Sequence, residues 1–452
     1  MQKVSEFLQY VSASLGMALA ISCYAIIGSL FQFESGLWLV GGILVACLCC
    51  LIVAGATAEL AMRFPSAPGL RTYFKQAFGN QHSLFLILVY MSIVVFIASV
   101  ESYAFGEILQ VLDIELSRVL TGILLIIVIA AVNLMGFEMT LKVQLWSVIL
   151  LVLSMVGISI YGILTEPAMN PATANQLIQP LASQISESNN DIMVAMATII
   201  ATALFLFVGF EWVTPMGKSA QAYQRMIPLS MMVGIAVLGL LYGLFAYASG
   251  NQLNEQQLQA SVAPQLLLGE TLFGIKGTYV LAAISFLAMF TSFNVGMLGA
   301  SRLVYGIARE GELPAWFTRI SFKTLAPYGA ILFLSALCMI GTVITNLYAI
   351  HFELANAAVI ITCLVYTAII AAALKLRRDQ GKLSTRFALH GALLIPMALV
   401  FLVLGLVLFI ENLNSATPYI LLGAVVLAAL YAYRIPLKAQ ALTPFSRLTT
   451  TK

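Results

Sequence analysis

The sequence predicts an all-α membrane protein of twelve transmembrane helices, and composition, apolar spans and charge placement each point to it. Of 452 residues, 61% are hydrophobic and 9% charged, against roughly 25% charged in soluble domains, which excludes a water-soluble globule. Apolar stretches of about 20 residues, the length that crosses a bilayer as a helix, recur along the chain. When they are threaded in order, all but two of the 22 Lys and Arg residues fall on one side. The net charge of +3 is this one-sided bias and not a sign of nucleic-acid binding; the lipid bilayer is the partner the composition requires.

Spans are expected at 11–33, 37–62, 83–110, 117–135, 141–164 and 191–216. Six more follow at 227–250, 275–306, 325–347, 351–376, 387–411 and 415–434. The first run is too long for a signal-peptide core and lacks a small-residue cleavage site, so it is kept as helix 1. Lys3 precedes it, and Arg63, Arg71 and Lys75 follow helix 2. Lys142 marks the start of helix 5, Lys218 and Arg225 the exit of helix 6, and Arg302, Arg309, Arg319 and Lys323 the exit of helix 8. Lys375, Arg377, Arg378, Lys382 and Arg386 lie between helices 10 and 11, and Arg434, Lys438, Arg447 and Lys452 in the tail. The opposite face keeps only Arg118 and Lys276. By the positive-inside rule the basic face and both termini are cytoplasmic, in the cell membrane. The two long loops, 165–190 and 249–274, are then extracellular; the second has room for a short surface helix. Connections 63–80 and 310–327 space Pro and Gly as packed, bent segments do. The whole chain, 1–452, reads as a single domain.

Cys23, Cys47, Cys49, Cys50, Cys338 and Cys363 all fall inside expected spans, where they read as packing residues and not as disulfides or a zinc site. His82, His351 and His390 are scattered without ligand spacing, so neither metal nor cofactor is expected. An intramembrane enzyme would need a nucleophile, base or metal ligands clustered at membrane depth, and the sparse His, Asp and Glu do not supply them.

If 11–164 and 191–376 are structural repeats of five helices each, the odd number forces the second to insert upside down, leaving 387–434 as two additional helices. The first helix of each half has a weak point: Gly28-Ser29 in helix 1 and Val208-Gly209-Phe210-Glu211 in helix 6. A break there frees backbone groups that lipid cannot satisfy, so they must face protein or a cavity. The half-helix N-terminus beyond it offers donors and about half a positive charge to an anionic group.

A charge at helix centre costs about 2.5–3.5 kcal/mol on insertion scales, which makes intramembrane acids functional candidates. Glu211 lies beside the expected break and Glu101 in helix 3, outward of it; Glu59, Glu107 and Glu353 lie near span ends and read as structural. Thr291 and Ser292 in helix 8 are hydroxyls suited to a sodium ion, although such hydroxyls also bond to the preceding helical turn.

Three segments resemble the amino acid-polyamine-organocation superfamily of transporters. Residues 294–320, NVGMLGASRLVYGIAREGELPAWFTRI, are similar to its helix 8 exit; residues 59–79, ELAMRFPSAPGLRTYFKQAFG, to its helix 2 exit and gating segment; residues 207–228, FVGFEWVTPMGKSAQAYQRMIP, to its helix 6 and following connection. The resemblance implies a five-plus-five inverted-repeat fold with two extra C-terminal helices and alternating-access transport of amino acids or related amines. It places the carboxylate cradle at Gly28, Ser29 and Leu30, beside Ile27, with Leu30 where the family has a third glycine. It also implies an unwound helix 6 from Phe205 to Glu211, including Val208 and Gly209, with Phe205 where relatives place an aromatic gate. Pro68 replaces a glycine, Lys218 and Ser219 stand where acids are common, and Leu151 stands where some relatives put a lysine in place of sodium. The expected activity is secondary active transport of an amino acid, driven by exchange or coupled to H+ or Na+. The alternative is an antiporter or importer of cationic amines or polyamines, which Leu30, Glu101 and Glu211 favour.

Overall fold

The structure, a computed structural model, describes residues 2–20, 22–31, 33, 36–65, 69–166, 189–219, 222–253, 257–258, 261, 263–381, 387 and 389–434. Pro68, most of the expected 165–190 loop and the tail lysines and arginines beyond 434 lie outside them. The described residues form helices α1 (Gln2–Ala18), α2 (Ser22–Leu30), α3 (Gly36–Arg63), α4 (Leu70–Phe78), α5 (Asn80–Val111), α6 (Arg118–Leu134) and α7 (Phe137–Leu164). These are followed by α8 (Asn189–Ala203), α9 (Ile227–Gln252), α10 (Pro264–Phe273), α11 (Ile275–Arg309), α12 (Tyr328–Tyr348), α13 (His351–Gln380), α14 (Gly391–Glu411) and α15 (Thr417–Arg434). Among the described residues, nine stretches are long and apolar enough to cross a membrane, or ten if the bent pair α1 and α2 is one span; α6 and α15 are shorter apolar helices. Helix is the form these runs take because it satisfies every backbone N–H and C=O inside its own segment.

Burial sorts the helices into inner and outer ones. The apolar stretch of α11 is 78% buried inside the protein and that of α14 only 22%, so α11 is the central post and α14 part of the lipid-facing wall. Small residues allow close approach: a Cβ on Gly239 of α9 would meet Cys47 Sγ of α3 at 2.7 Å. Buried amides then cross-link the inner helices. Asn133 on α6 donates to Asn294 on α11 at 3.0 Å, Asn294 donates to Gln144 on α7 at 2.8 Å, and Gln144 reaches the Ser12 carbonyl of α1 at 3.4 Å.

The first broken helix departs from the sequence expectation. The chain turns by 57° between Lys3–Ala18 and Cys23–Leu30, so the break lies between Ala18 and Ser22 and not at Gly28-Ser29. Gly28 is small for another reason: a Cβ there would lie 2.9 Å from Pro264 Cγ, and α10 packs against it. Ser29 is helical and exposed, its hydroxyl returned to the Ile26 carbonyl at 2.8 Å. The 249–274 connection does hold a short helix, α10, but Pro264, Gln265, Leu266 and Leu268 are buried in it. The second break falls where the glycine placed it. After α8 the chain tightens into a 3-10 turn (Leu204–Phe207), passes Val208 and Gly209, and resumes as a second 3-10 segment (Phe210–Met216).

Two buried ion clusters clamp the helix ends that carry the basic residues. The Glu59 carboxylate of α3, fully buried, takes Arg377 of α13 on both oxygens and Arg63 at 3.0 Å. Arg377 also donates to the Leu389 carbonyl at 2.8 Å, and Arg63 to the Gly381 carbonyl at 2.7 Å. The fully buried Arg71 of α4 pairs with Glu312, just beyond α11, and donates to Ser83 and Asn80, while Lys75 pairs with Glu310 at 2.7 Å. Removing one partner from such a cluster leaves a charge buried and costs roughly 3–5 kcal/mol. Arg377→Ala is therefore expected to lower the melting temperature of the purified protein by several degrees, and Glu59→Gln/Arg377→Met by less; thermal unfolding in detergent checks the order.

Candidate functional site

Two helix breaks meet in the middle of the bundle. Gly209 has φ +111°, a region that side-chain-bearing residues rarely enter, and a Cβ on it would collide with the Cβ and Cγ of Met17. The end of α1 thus rests directly on the turn in helix 6. The carbonyls freed where α1 stops are met by side chains from other helices: Ser292 of α11 donates to Met17 O at 3.1 Å, Tyr242 of α9 to Ala18 O, and Cys23 Sγ to the same oxygen at 3.1 Å. These donors replace the helical hydrogen bonds that the break removes.

Around this junction Met17, Ala18, Ala20 and Cys23 line a cleft with Ile97, Val100 and Glu101 of α5, Phe205 and Val208 of helix 6, and Ala355 of α13. Its free space is about 20 Å³, room for roughly one water; binding anything larger requires the walls to separate. The lining is apolar apart from Glu101, whose side chain is fully buried. α2 starts at Ser22, next to the cleft residue Cys23, and the Leu19 and Ala20 N–H groups before it bond to the Leu15 and Ala18 carbonyls at 3.0 Å.

The structure distributes the sequence-nominated residues unevenly. Glu101, Phe205 and Val208 line the cleft, and Gly209 abuts Met17, which does. Ile27, Gly28 and Leu30 are buried along α2, away from the break, and Ser29 is exposed; the cradle expected there is a helical turn. Glu211 is fully buried beyond the break, among helices α5 and α13. Both its oxygens accept phenol hydroxyls, Oε1 from Tyr90 and Oε2 from Tyr366 at 2.8 Å. Tyr90 stacks on Trp212 with centroids 4.6 Å apart, and Tyr366 also meets the Gly209 N–H at 3.4 Å. Thr291 turns its hydroxyl to its own helix, to Ala288 O at 2.8 Å, whereas Ser292 holds the α1 break.

Sequence reading missed Met17, Ala18, Ala20 and Cys23 in the cleft and the tyrosine pair on Glu211. A phenol in an apolar helix was the available signal, since a buried hydroxyl must find a partner. Lys218 pairs with Glu138 at the start of α7, at 2.5 Å.

The amino acid permease family profile matches residues 6–431. The chain belongs to the amino acid permease family. Permease relatives include YecA of Bacillus subtilis, 27% identical over 41% of this chain and 45% of its own length. The human cystine/glutamate transporter is 24% identical over 67% of this chain and 59% of its own length. The match thus spans about half the length of these relatives. Among solved structures, a manganese transporter of Eremococcus coleocola superposes over 95% of this permease and 92% of its own chain with TM-score 0.62 at 14% identity, a likeness of fold. Family membership and the apolar stretches make the chain a multi-pass membrane protein of the amino acid-polyamine-organocation superfamily.

The junction is tested through its glycine. Gly209→Ala is expected to lower thermal stability by roughly 1 kcal/mol or more from backbone strain alone, plus the collision with Met17. Adding Met17→Ala removes the contact with Cγ and should recover part of the collision cost, leaving the 2.8 Å contact with Cβ and the strain. A double variant no more stable than Gly209→Ala would show that the two breaks do not rest on each other.

Proposed function

We propose that this permease is a secondary active transporter of amino acids that works by alternating access, with the cleft between the two helix breaks as its substrate site. The observation that carries the reading is the direct contact of the α1 break with Gly209 around a cleft whose walls come from both broken helices. In this account α1 with α2 forms one span, the chain crosses the bilayer twelve times, and residues 11–164 and 191–376 are inverted repeats, each opening on a broken helix, with 387–434 appended. The basic face is cytoplasmic, and so are both termini.

The substrate carboxylate takes the first backbone donors of α2, where the α2 dipole adds its partial positive charge. The ammonium group takes carbonyls at the end of the Leu204–Phe207 turn. Phe205 closes over the ligand, and the small lining residues Ala18, Ala20 and Val208 suit a modest neutral side chain. Glu211, held by two tyrosines directly behind the Gly209 turn, is positioned to couple a proton to movement of helix 6. A sodium ion at the α1 break would have to displace the Ser292, Tyr242 and Cys23 donors, so coupling to H+ is the reading preferred here.

A single observation favours the second reading, a carrier of cationic amines: the acid in the cleft is Glu101. Charge removal separates the two. Counterflow in proteoliposomes preloaded with neutral, acidic and basic amino acids and polyamines should accumulate a neutral amino acid, unchanged when Na+ is replaced by choline. Glu101→Gln should leave that uptake largely intact, and Glu211→Gln should flatten its pH dependence. Accumulation of polyamines alone, abolished by Glu101→Gln, would establish the second reading; silence across the panel would contradict both.

A further inference from the structure

The connection between α11 and α12 carries an exposed surface that takes no part in lining the cleft. From Leu313 to Phe352 the sequence has no acid. Within it Trp316, Ile320, Phe322 and Leu325 are exposed, Phe322 completely, and Arg319 and Lys323 are exposed among them. Four large apolar side chains open in one short segment are more than a solvated loop carries without a partner. The segment is also firmly built. Leu325 and Ser321 close it with hydrogen bonds of 2.9 Å, Ser321 N–H to Ala326 O and Leu325 N–H to Ser321 O. The Thr324 carbonyl seats against Gly136 in the α6 to α7 turn, where a Cβ would lie 2.6 Å away.

Its position names the partner. Phe317 turns inward and packs edge-on against Phe333 of α12 with centroids 5.0 Å apart, and Phe333 and Leu332 belong to the exposed wall of that helix. The apolar wall of α12 therefore continues without interruption into Trp316 and the hairpin beyond. The hairpin leaves from the helix ends clamped by Arg71–Glu312 and Lys75–Glu310, on the face rich in Lys and Arg.

We propose that residues 314–326 form an interfacial anchor for anionic phospholipid. Trp316, Ile320, Phe322 and Leu325 enter the leaflet at headgroup depth, as aromatic and aliphatic side chains do at membrane interfaces, and Arg319 and Lys323 hold lipid phosphates above them. Continuity with a lipid-facing wall, and Arg319 and Lys323 that form no ion pair among the described residues, favour a lipid surface over a soluble protein or a second copy.

The test uses the full chain in nanodiscs, labelled at Phe322→Cys with the polarity-sensitive fluorophore NBD, with identically treated wild type as the blank for native cysteines. Leu325→Cys serves as a second site should the first variant misfold. In discs containing phosphatidylglycerol the probe should emit blue-shifted and be quenched at least twofold by lipids bearing a shallow acyl-chain nitroxide. Arg319→Gln/Lys323→Gln should remove the dependence on phosphatidylglycerol. Hydrated, unquenched emission at both sites would overturn the proposal, as would shielding seen only when two copies share a disc. Quenching indifferent to lipid charge and to the double substitution would overturn the phosphate contacts. None of these readings depends on what the protein carries.

Discussion

An interrupted helix within a membrane bundle must have every freed backbone group answered by the rest of the protein, and this requirement organises the permease around Met17, Ala18 and Gly209. Lipid supplies no hydrogen bonds, so the α1 carbonyls draw in Ser292 from α11, Tyr242 from α9 and Cys23 from α2. The Gly209 turn draws in Tyr366 from α13, which with Tyr90 from α5 also holds Glu211. The central helices are thus tied to the two breaks by specific polar contacts, in a setting where apolar packing alone gives little preference between helix–helix and helix–lipid contact.

The helix ends are fastened differently from the middle. On the basic face the fastenings are ionic: Glu59 with Arg377 and Arg63, Arg71 with Glu312, Lys218 with Glu138. In the alternating-access cycle proposed above, opening the cleft toward that face would part the 210–216 segment from α11 and α1, whose polar contacts near it include Arg302 Nε on the Pro215 carbonyl at 3.0 Å and the Lys218 N–H on Tyr10 at 3.2 Å. Arg302 also lies over the Phe137 ring at 4.1 Å. In the proposed cycle these contacts would break and re-form. The Glu59 and Arg71 clusters are buried and multiply bonded, which suits the parts that stay together.

The helices were legible because length and hydropathy are local properties: α3, α5, α7, α9, α11 and α13 lie within a few residues of the expected spans. The helix 6 break was legible because Gly209 is required by its own backbone angle, a demand that one residue announces. The helix 1 break was misplaced because no residue announces it. Leu19 and Ala20 are unremarkable in a helix, and what makes the break tolerable is distant in sequence, at Tyr242 and Ser292. Gly28 misled because a glycine needed for close packing on Pro264 looks, in sequence, like one needed for unwinding. The partners of Glu211 were hidden for the same reason as those of Glu59: tertiary pairs across 121 and 318 residues leave no local pattern.

The claim that the two breaks jointly form the substrate site is tested most directly by a cryo-electron microscopy structure determined with whichever amino acid the counterflow panel shows to accumulate. The account predicts ligand density between Ala18–Cys23 and Phe205–Val208, its carboxylate against the start of α2 and the cleft walls moved apart to admit it. Density beside Gly28 and Ser29, or anywhere that leaves the Met17 and Gly209 junction untouched, would contradict it.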